Sequence, residues 1–424
     1  MTADLLIANA AQVVTCAGFS QQPASGSDQG AAGIIEDGAV ALADSRILEV
    51  GPAPELRSKY ALPDDKIIDA AGGVVLPGFV DCHTHLVFAG DRAAEWETRM
   101  QGQPYLEILR EGGGILNTVR ATRAASFEDL LADARIWARR ALELGTTTIE
   151  IKSGYGLDRD SEIKMLEVAR ALRDQGPQQI VATYLGGHVV PPELTHQREA
   201  YLQLIESTAA EVMQQDLAAF FDVFCEEEAF TLAETERLLN TALELGFKIK
   251  LHAEQFTSSG ATALGARLGA VSVDHLEHIE SDGLTALVDS SSTVAVLLPA
   301  VNFHLSLEEV APARRIIKAG LPVALATDFN PGSAFTPSIP TVIALACRLL
   351  NMTVAEALVA VTINAAHALD LGDETGSLEP GKRADLIICD IPDHKWLGYT
   401  FGWNPVSTVI VEGKSIISPS RNHP

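Results

Sequence analysis

Eight apolar runs, each followed by an amphipathic stretch, constrain this chain of 424 residues more than any other feature. The runs are "GGVVLPGFVDCHTH", "TTTIEIKSGYG", "IVATYLGGH", "FDVFCEE", "FKIKLHAEQ", "AVSVDHLEH", "STVAVLLPA" and "PVALATDFN". Their apolar character is continuous rather than alternating, as strands buried on both faces of a parallel sheet require. Stretches such as "EDLLADARIWARRALELG", "SEIKMLEVARALRDQG" and "AETERLLNTALELG" have helical periodicity and end on a glycine suited to a helix C-terminus. Eight β/α repeats predict an α/β fold, a (β/α)8 TIM-like barrel.

Short β-like runs at both ends of the chain, "DLLIANAAQVVTC", "GAVALADSRILEVG", "ADLIICD" and "VSTVIVEGKSII", predict a second unit. The expected division is a small composite β-sandwich domain from 1–72 and 375–424, with the barrel over 73–374. The Gly/Ser/Gln-rich "GFSQQPASGSDQGAAG" at 18–33 reads as an exposed loop.

The polar residues of the runs collect at their C-terminal ends, where barrel active sites form. His83, His85, Lys152, Tyr155, His188, Glu226, His252, His275 and Asp328 all lie there. Five of the eleven histidines sit at these exits, a concentration that chance loop polarity does not explain.

On an extended chain, residues i and i+2 share a face, so His83 and His85 can aim at one ion. Alone, the pair fits hydrogen-bonded core histidines better than ligands. The balance shifts when His252 and Asp328 end later strands of the same barrel. Three nitrogens and one oxygen, with a position left for water, suit one divalent metal ion, zinc or iron. Asp328 is placed to take a proton from water, and His275 to orient that water or bond an oxyanion. His278 and His304 read as structural. Lys152 could bridge two metals as a carbamate, but it falls on the second strand, and the fourth offers no lysine. A single ion is the simpler reading. Glu226, Glu227 and Glu228 read equally as pocket wall or solvated turn. "EGGGI" at 111–115 lacks the Lys-Ser/Thr of a phosphate loop.

Net charge excludes whole classes of partner. At −25 the chain repels phosphate backbones and anionic lipid surfaces, so neither nucleic acid nor membrane is an expected partner. The five cysteines are scattered and never in C-x-x-C spacing, which fits a reducing, cytoplasmic setting. The N-terminus has no basic n-region of a signal peptide, and no apolar stretch approaches the ~20 residues needed to cross a bilayer.

"PGFVDCHTHLVF", with His252, His275 and Asp328 at later strand ends, resembles the metal-dependent amidohydrolase superfamily. Within it, "HTHLVFAGDRAAEWETRMQG", "YLEILREGGGILNTVRATR", "LGGHVVPPE", "LHAEQ", "DHLEH" and "ATDFNPGS" resemble the imidazolonepropionase family over nearly the whole chain. The resemblance implies hydrolytic opening of 4-imidazolone-5-propanoate to N-formimidoyl-L-glutamate, in histidine degradation, by a homodimer. It implies that His83, His85, His252 and Asp328 bind zinc or iron and that His275 assists water. It places Arg92, Tyr155, His188, Gln255, Asn330, Gly332 and Ser333 around a small anionic heterocyclic substrate. A guanidinium at Arg92 suits a propionate, although a surface ion pair with nearby acids explains its position equally well. The "NPGS" turn is expected to offer backbone N–H groups to the same ligand. Gln255 stands where many superfamily members carry a proton-shuttling glutamate, which weakens the alternative of an aminohydrolase (deaminase) acting on a purine, pyrimidine or triazine ring. A non-catalytic metal-binding scaffold is the remaining alternative.

Overall fold

The computed structural model describes residues 2–102, 113–290 and 292–418. Residues 105–110 of the "YLEIL" stretch and the first two residues of "EGGGI" lie outside the described residues.

The eight apolar runs supply eight parallel strands in chain order: β1 (Phe79–Asp81), β2 (Thr146–Lys152), β3 (Gln179–Gly187), β4 (Phe220–Cys225), β5 (Lys248–Ala253), β6 (Ser272–His275), β7 (Val294–Leu297) and β8 (Val323–Leu325). Each pairs with the next, and helices follow most of them, giving the TIM-like barrel. β1 and β8 meet just beyond their ends. There Asp328 N donates to His83 O across 3.0 Å and His85 N to Phe329 O across 2.9 Å, around a Thr84–Phe329 bridge. The barrel closes where the candidate ligands lie.

Both termini build the small β unit. A six-stranded sheet runs Lys414–Ile417, Val406–Val411, Leu386–Cys389, Val74–Pro77, Gln12–Val14, Ile34–Glu36. A four-stranded sheet runs Arg46–Pro52, Gly38–Ala43, Leu5–Ala8, Ile67–Asp69. Ile7, Val13, Val40, Val75, Leu386 and Ile410 pack in one buried cluster drawn from both sheets. Each such side chain contributes about 1.5–3 kcal/mol by leaving water.

Two sequence readings change. "GGVVLPGFVDCHTH" is two strands, not one: Val74–Pro77 joins the six-stranded sheet and only Phe79–Asp81 enters the barrel. Gly78 marks the break, and a Cβ there would come within 2.1 Å of Thr147 Oγ1. The 18–33 insert, expected to be exposed, is anchored beneath the barrel by a fully buried Gln29. Its amide donates to Val323 O at 2.9 Å and accepts from Val323 N at 3.0 Å. Asn364 Nδ2 donates to the same Gln29 oxygen at 3.0 Å, and Ala24 N donates to Asn364 Oδ1 at 2.8 Å. A side-chain amide has the donor and acceptor of a peptide group, so Gln29 satisfies the edge of β8 as a neighbouring strand would. Polar composition hid this role.

Candidate functional site

His83, His85, His252, His275 and Asp328 are all buried and converge at the C-terminal mouth of the barrel. Asp328 Oδ1 lies 3.5 Å from His83 Nε2 and 3.4 Å from His85 Nε2. The His252 ring centroid is 4.5 Å from that of His83, and His275 is 5.3 Å from His252. His83 Nε2 and Asp328 Oδ1 have no hydrogen-bond partner although both are buried. Two tetrahedral ligands at ~2.1 Å from an ion stand ~3.4 Å apart, so the orphaned atoms fit a shared divalent metal. Burial, reinforced by neighbouring positive charge, holds His83 and His85 well below the ordinary histidine range. Neutral imidazoles keep the lone pair that metal binding needs.

Carboxylates beneath the site aim the imidazoles. Asp274 Oδ2 accepts from His83 Nδ1 at 2.6 Å, and Asp222 Oδ2 faces His252 Nδ1 at 2.9 Å. A carboxylate at Nδ1 turns the Nε2 lone pair towards the site. Neither aspartate was picked out from the sequence, although each lies on a barrel strand, Asp222 on β4 and Asp274 on β6, beside a predicted site residue. Lys152 is not placed as a metal bridge: its Nζ is 2.7 Å from Asp222 Oδ2 and 3.1 Å from Glu150 Oε2.

A cavity of about 470 Å³ opens onto the cluster. His85, His252, His275 and Asp328 line it, as do Arg92, Tyr155, His188, Gln255, Asn330, Gly332 and Ser333. His83 lies behind this wall. The sequence reading missed Arg99, Phe224, Phe256 and Leu305, which also line the cavity. Arg99 had a usable signal, two helical turns beyond Arg92 on the helix Ala93–Met100.

Loop chemistry fixes each wall. Arg92 Nε donates to Glu95 Oε1 at 3.0 Å with both side chains largely buried, so the ion pair exists but within the cavity wall rather than on the surface. The guanidinium lies against Gly332, where an added Cβ would come 1.9 Å from Arg92 Nη1. The "NPGS" amides differ from expectation: Gly332 N and Ser333 N both donate to Asn330 Oδ1 at 2.8 Å. They are consumed inside the turn by the asparagine side chain. Tyr155 rides on a loop held by the buried Glu162 carboxylate, which accepts from Gly154 N at 2.9 Å, Gly156 N at 2.7 Å and Leu157 N at 2.8 Å. His188 Nδ1 donates to Gly154 O at 2.9 Å, and its ring stacks on His85 at 5.2 Å. The carbonyl can only accept, so His188 carries its proton on Nδ1 and offers Nε2 as an acceptor.

The two residues after Ala253 part company. Glu254 has φ 56° and accepts from Thr262 Oγ1 at 2.7 Å and Gly260 N at 3.1 Å, outside the cavity, while Gln255 lines it. Glu226 is buried and accepts from Phe256 N at 2.9 Å, ordering the same loop, whereas Glu227 and Glu228 are exposed. His278 and His304 do not line the cavity. Positive φ recurs at strand exits, in Glu254, His275, Leu276 and Asp328, the backbone strain that collects at functional sites.

The sequence pattern of the amidohydrolase family matches residues 74–416. The imidazolonepropionase of Geobacillus kaustophilus is 44% identical over 420 residues, covering 98% of this chain and 99% of that one. That of Symbiobacterium thermophilum is 45% identical over 421 residues, covering 99% and 98%. This chain belongs to the imidazolonepropionase family. Among solved structures, the 5-methylcytosine deaminase of Klebsiella pneumoniae shares the fold with a TM-score of 0.74 over 99% of each chain. Its identity is 18%, which speaks for architecture alone. Membership in this hydrolase family and the buried His/Asp cluster both point to a metal site.

Proposed function

We propose that this member of the imidazolonepropionase family opens 4-imidazolone-5-propanoate with water to give N-formimidoyl-L-glutamate. One observation carries the reading beyond family membership: Arg92 rests on Gly332, four residues past Asp328, so a guanidinium and the His/Asp cluster face one cavity. That pairing suits a ligand with a carboxylate tail and a ring carbonyl.

In this reading His83, His85, His252 and Asp328 hold one zinc or iron ion. When bound, such an ion lowers the pKa of water and polarises a carbonyl. Asp328 takes the proton of the attacking water and delivers it to the ring nitrogen as the amide C–N bond breaks. His275, neutral because burial pushes it down to about 3, holds the water or the carbonyl oxygen by a hydrogen bond. Arg92 pairs with the propionate. Tyr155, His188, Gln255, Asn330 and Ser333 hold the polar edges of the ring, and Gly332 leaves the space that Arg92 needs. A deaminase reading is less well served, because the carboxylate of Glu254 is turned out of the cavity and Gln255 cannot carry a proton.

We further propose a cytoplasmic homodimer in which each chain has two units, 1–72 with 375–424 and 73–374, except that the strand Val74–Pro77 belongs to the β unit's sheet. No helix among the described residues is long and apolar enough to cross a membrane. Tyr399, Phe401, Trp403 and Phe303 are exposed, and the Phe401 and Phe303 rings lie 6.3 Å apart, an apolar surface of the kind subunits cover. Sedimentation velocity on wild type and Tyr399→Ser checks the dimer.

The deciding experiment adds freshly generated imidazolone propionate to purified protein and identifies the product by mass. Formimidoyl-glutamate is expected, and it should vanish on chelation and in Asp328→Ala or His252→Ala. Metal bound without that product sinks the substrate assignment.

A further inference from the structure

Barrel interiors are ordinarily filled by layers of branched apolar side chains drawn from alternate strands. Here the alternate strands β2, β4 and β6 send in Lys152, Asp222 and Asp274, all fully buried. Lys152 Nζ lies 2.7 Å from Asp222 Oδ2 and 3.8 Å from Asp274 Oδ2. Those aspartates are the ones that face His252 Nδ1 and His83 Nδ1, at 2.9 and 2.6 Å. One ammonium therefore binds Asp222, with Glu150 Oε2 as a second partner at 3.1 Å, and stands within ion-pair range of Asp274, the carboxylate bonded to His83 Nδ1.

Stability does not explain this arrangement. Burying charges costs several kcal/mol per ion, and well-packed apolar side chains often serve the fold equally well or better. Glu150 has a cation of its own, since Lys250 Nζ is 3.0 Å from Glu150 Oε1. Asp222 makes its shortest ion pair with Lys152, and its other oxygen accepts from His252 N at 3.2 Å.

We propose that Lys152 is a positioning residue of the metal centre, holding Asp222 and Asp274 together so that His252 and His83 present Nε2 to one ion. The inference rests on the ligand set proposed above. Without the ammonium, two neighbouring carboxylates repel each other, and the imidazoles they aim lose their common focus. The residue first read as a possible metal bridge acts one layer below the metal.

The test compares wild type, Lys152→Met and Lys152→Arg, each loaded with zinc and titrated with a competing chelator. Parallel samples exchanged with Co²⁺ report ligand geometry through visible absorption, and thermal melts report folding. Lys152→Met is expected to bind zinc about 10- to 100-fold more weakly, with an altered Co²⁺ spectrum. Lys152→Arg is expected to fall between it and wild type. Wild-type affinity and spectrum in Lys152→Met would overturn the inference, whatever happens to the melting temperature. Failure of the wild type to bind metal would instead overturn the ligand set. If Lys152→Met does not fold, Lys152→Gln, which keeps a polar side chain without the charge, carries the same test. A loss of tenfold or more there supports the inference, and unchanged affinity overturns it.

Discussion

The Asp328 amide donates to the His83 carbonyl across 3.0 Å. The first and last of the candidate ligands in the chain are thus joined through their backbones, at the seam where β1 and β8 close the barrel. Any change that opens the seam also spreads the metal-facing atoms, so barrel integrity and site geometry are one property.

Arg92→Lys keeps a positive charge and loses the fork. A charge-assisted hydrogen bond contributes about 1.5–3 kcal/mol, so KM should rise about 10- to 100-fold with the metal still bound. Steady-state kinetics and metal analysis on the same preparation check it. A KM within twofold of wild type would remove Arg92 from the substrate's carboxylate.

Gly332→Ala should imitate that phenotype without touching a charge. The new methyl would displace the Arg92 guanidinium, which stands 1.9 Å from the Cβ position. A KM rise on the order of tenfold is expected, with an unchanged melting temperature. An unaltered KM would show that the guanidinium position is unimportant for binding.

Gln29→Ala removes the acceptor of Val323 N, while Val323 O and Asn364 Nδ2 keep each other at 2.9 Å. A buried polar group left unpaired costs about 1–3 kcal/mol, so unfolding free energy should drop by about that amount. Urea titration measures it. Activity per folded molecule should be retained, since the insert sits at the opposite end of the barrel from the cavity.

Glu234 supplies the pH-dependent prediction. Arg198, followed by hydrogen bonds from Thr231, lowers its carboxyl to about 2 from an ordinary 4.5. Because the folded value is the lower one, the stabilisation is complete above about pH 4.5 and fades as pH falls towards 2. Glu234→Gln should lose about 1 kcal/mol at pH 7, a modest figure because Arg198 is partly exposed. The difference from wild type should shrink between pH 4.5 and 3. A constant difference across that range would disprove the linkage.

The sequence by itself determined the eight β/α repeats, the β unit drawn from both termini and the set of polar strand exits. Those features are local: apolar continuity, helical period and capping glycines act over a few residues and can be read in order along the chain. The cavity then brings Arg92, Tyr155, His188, Gln255, Asn330, Gly332 and Ser333 together beside the histidines. Only the tertiary structure decided what depends on register between strands distant in sequence. Asp222 and Asp274 look like ordinary strand residues until neighbouring strands set them against His252 and His83. Gln29 looks like loop polarity until the unpaired edge of Val323 meets it, and Gly78 looks like mid-strand until Thr147 excludes a side chain there. The Asn330 side chain likewise claims the two amides that the "NPGS" turn was expected to offer a ligand. Periodicity shows which way a side chain faces, while its partner is set by the strand that folds beside it.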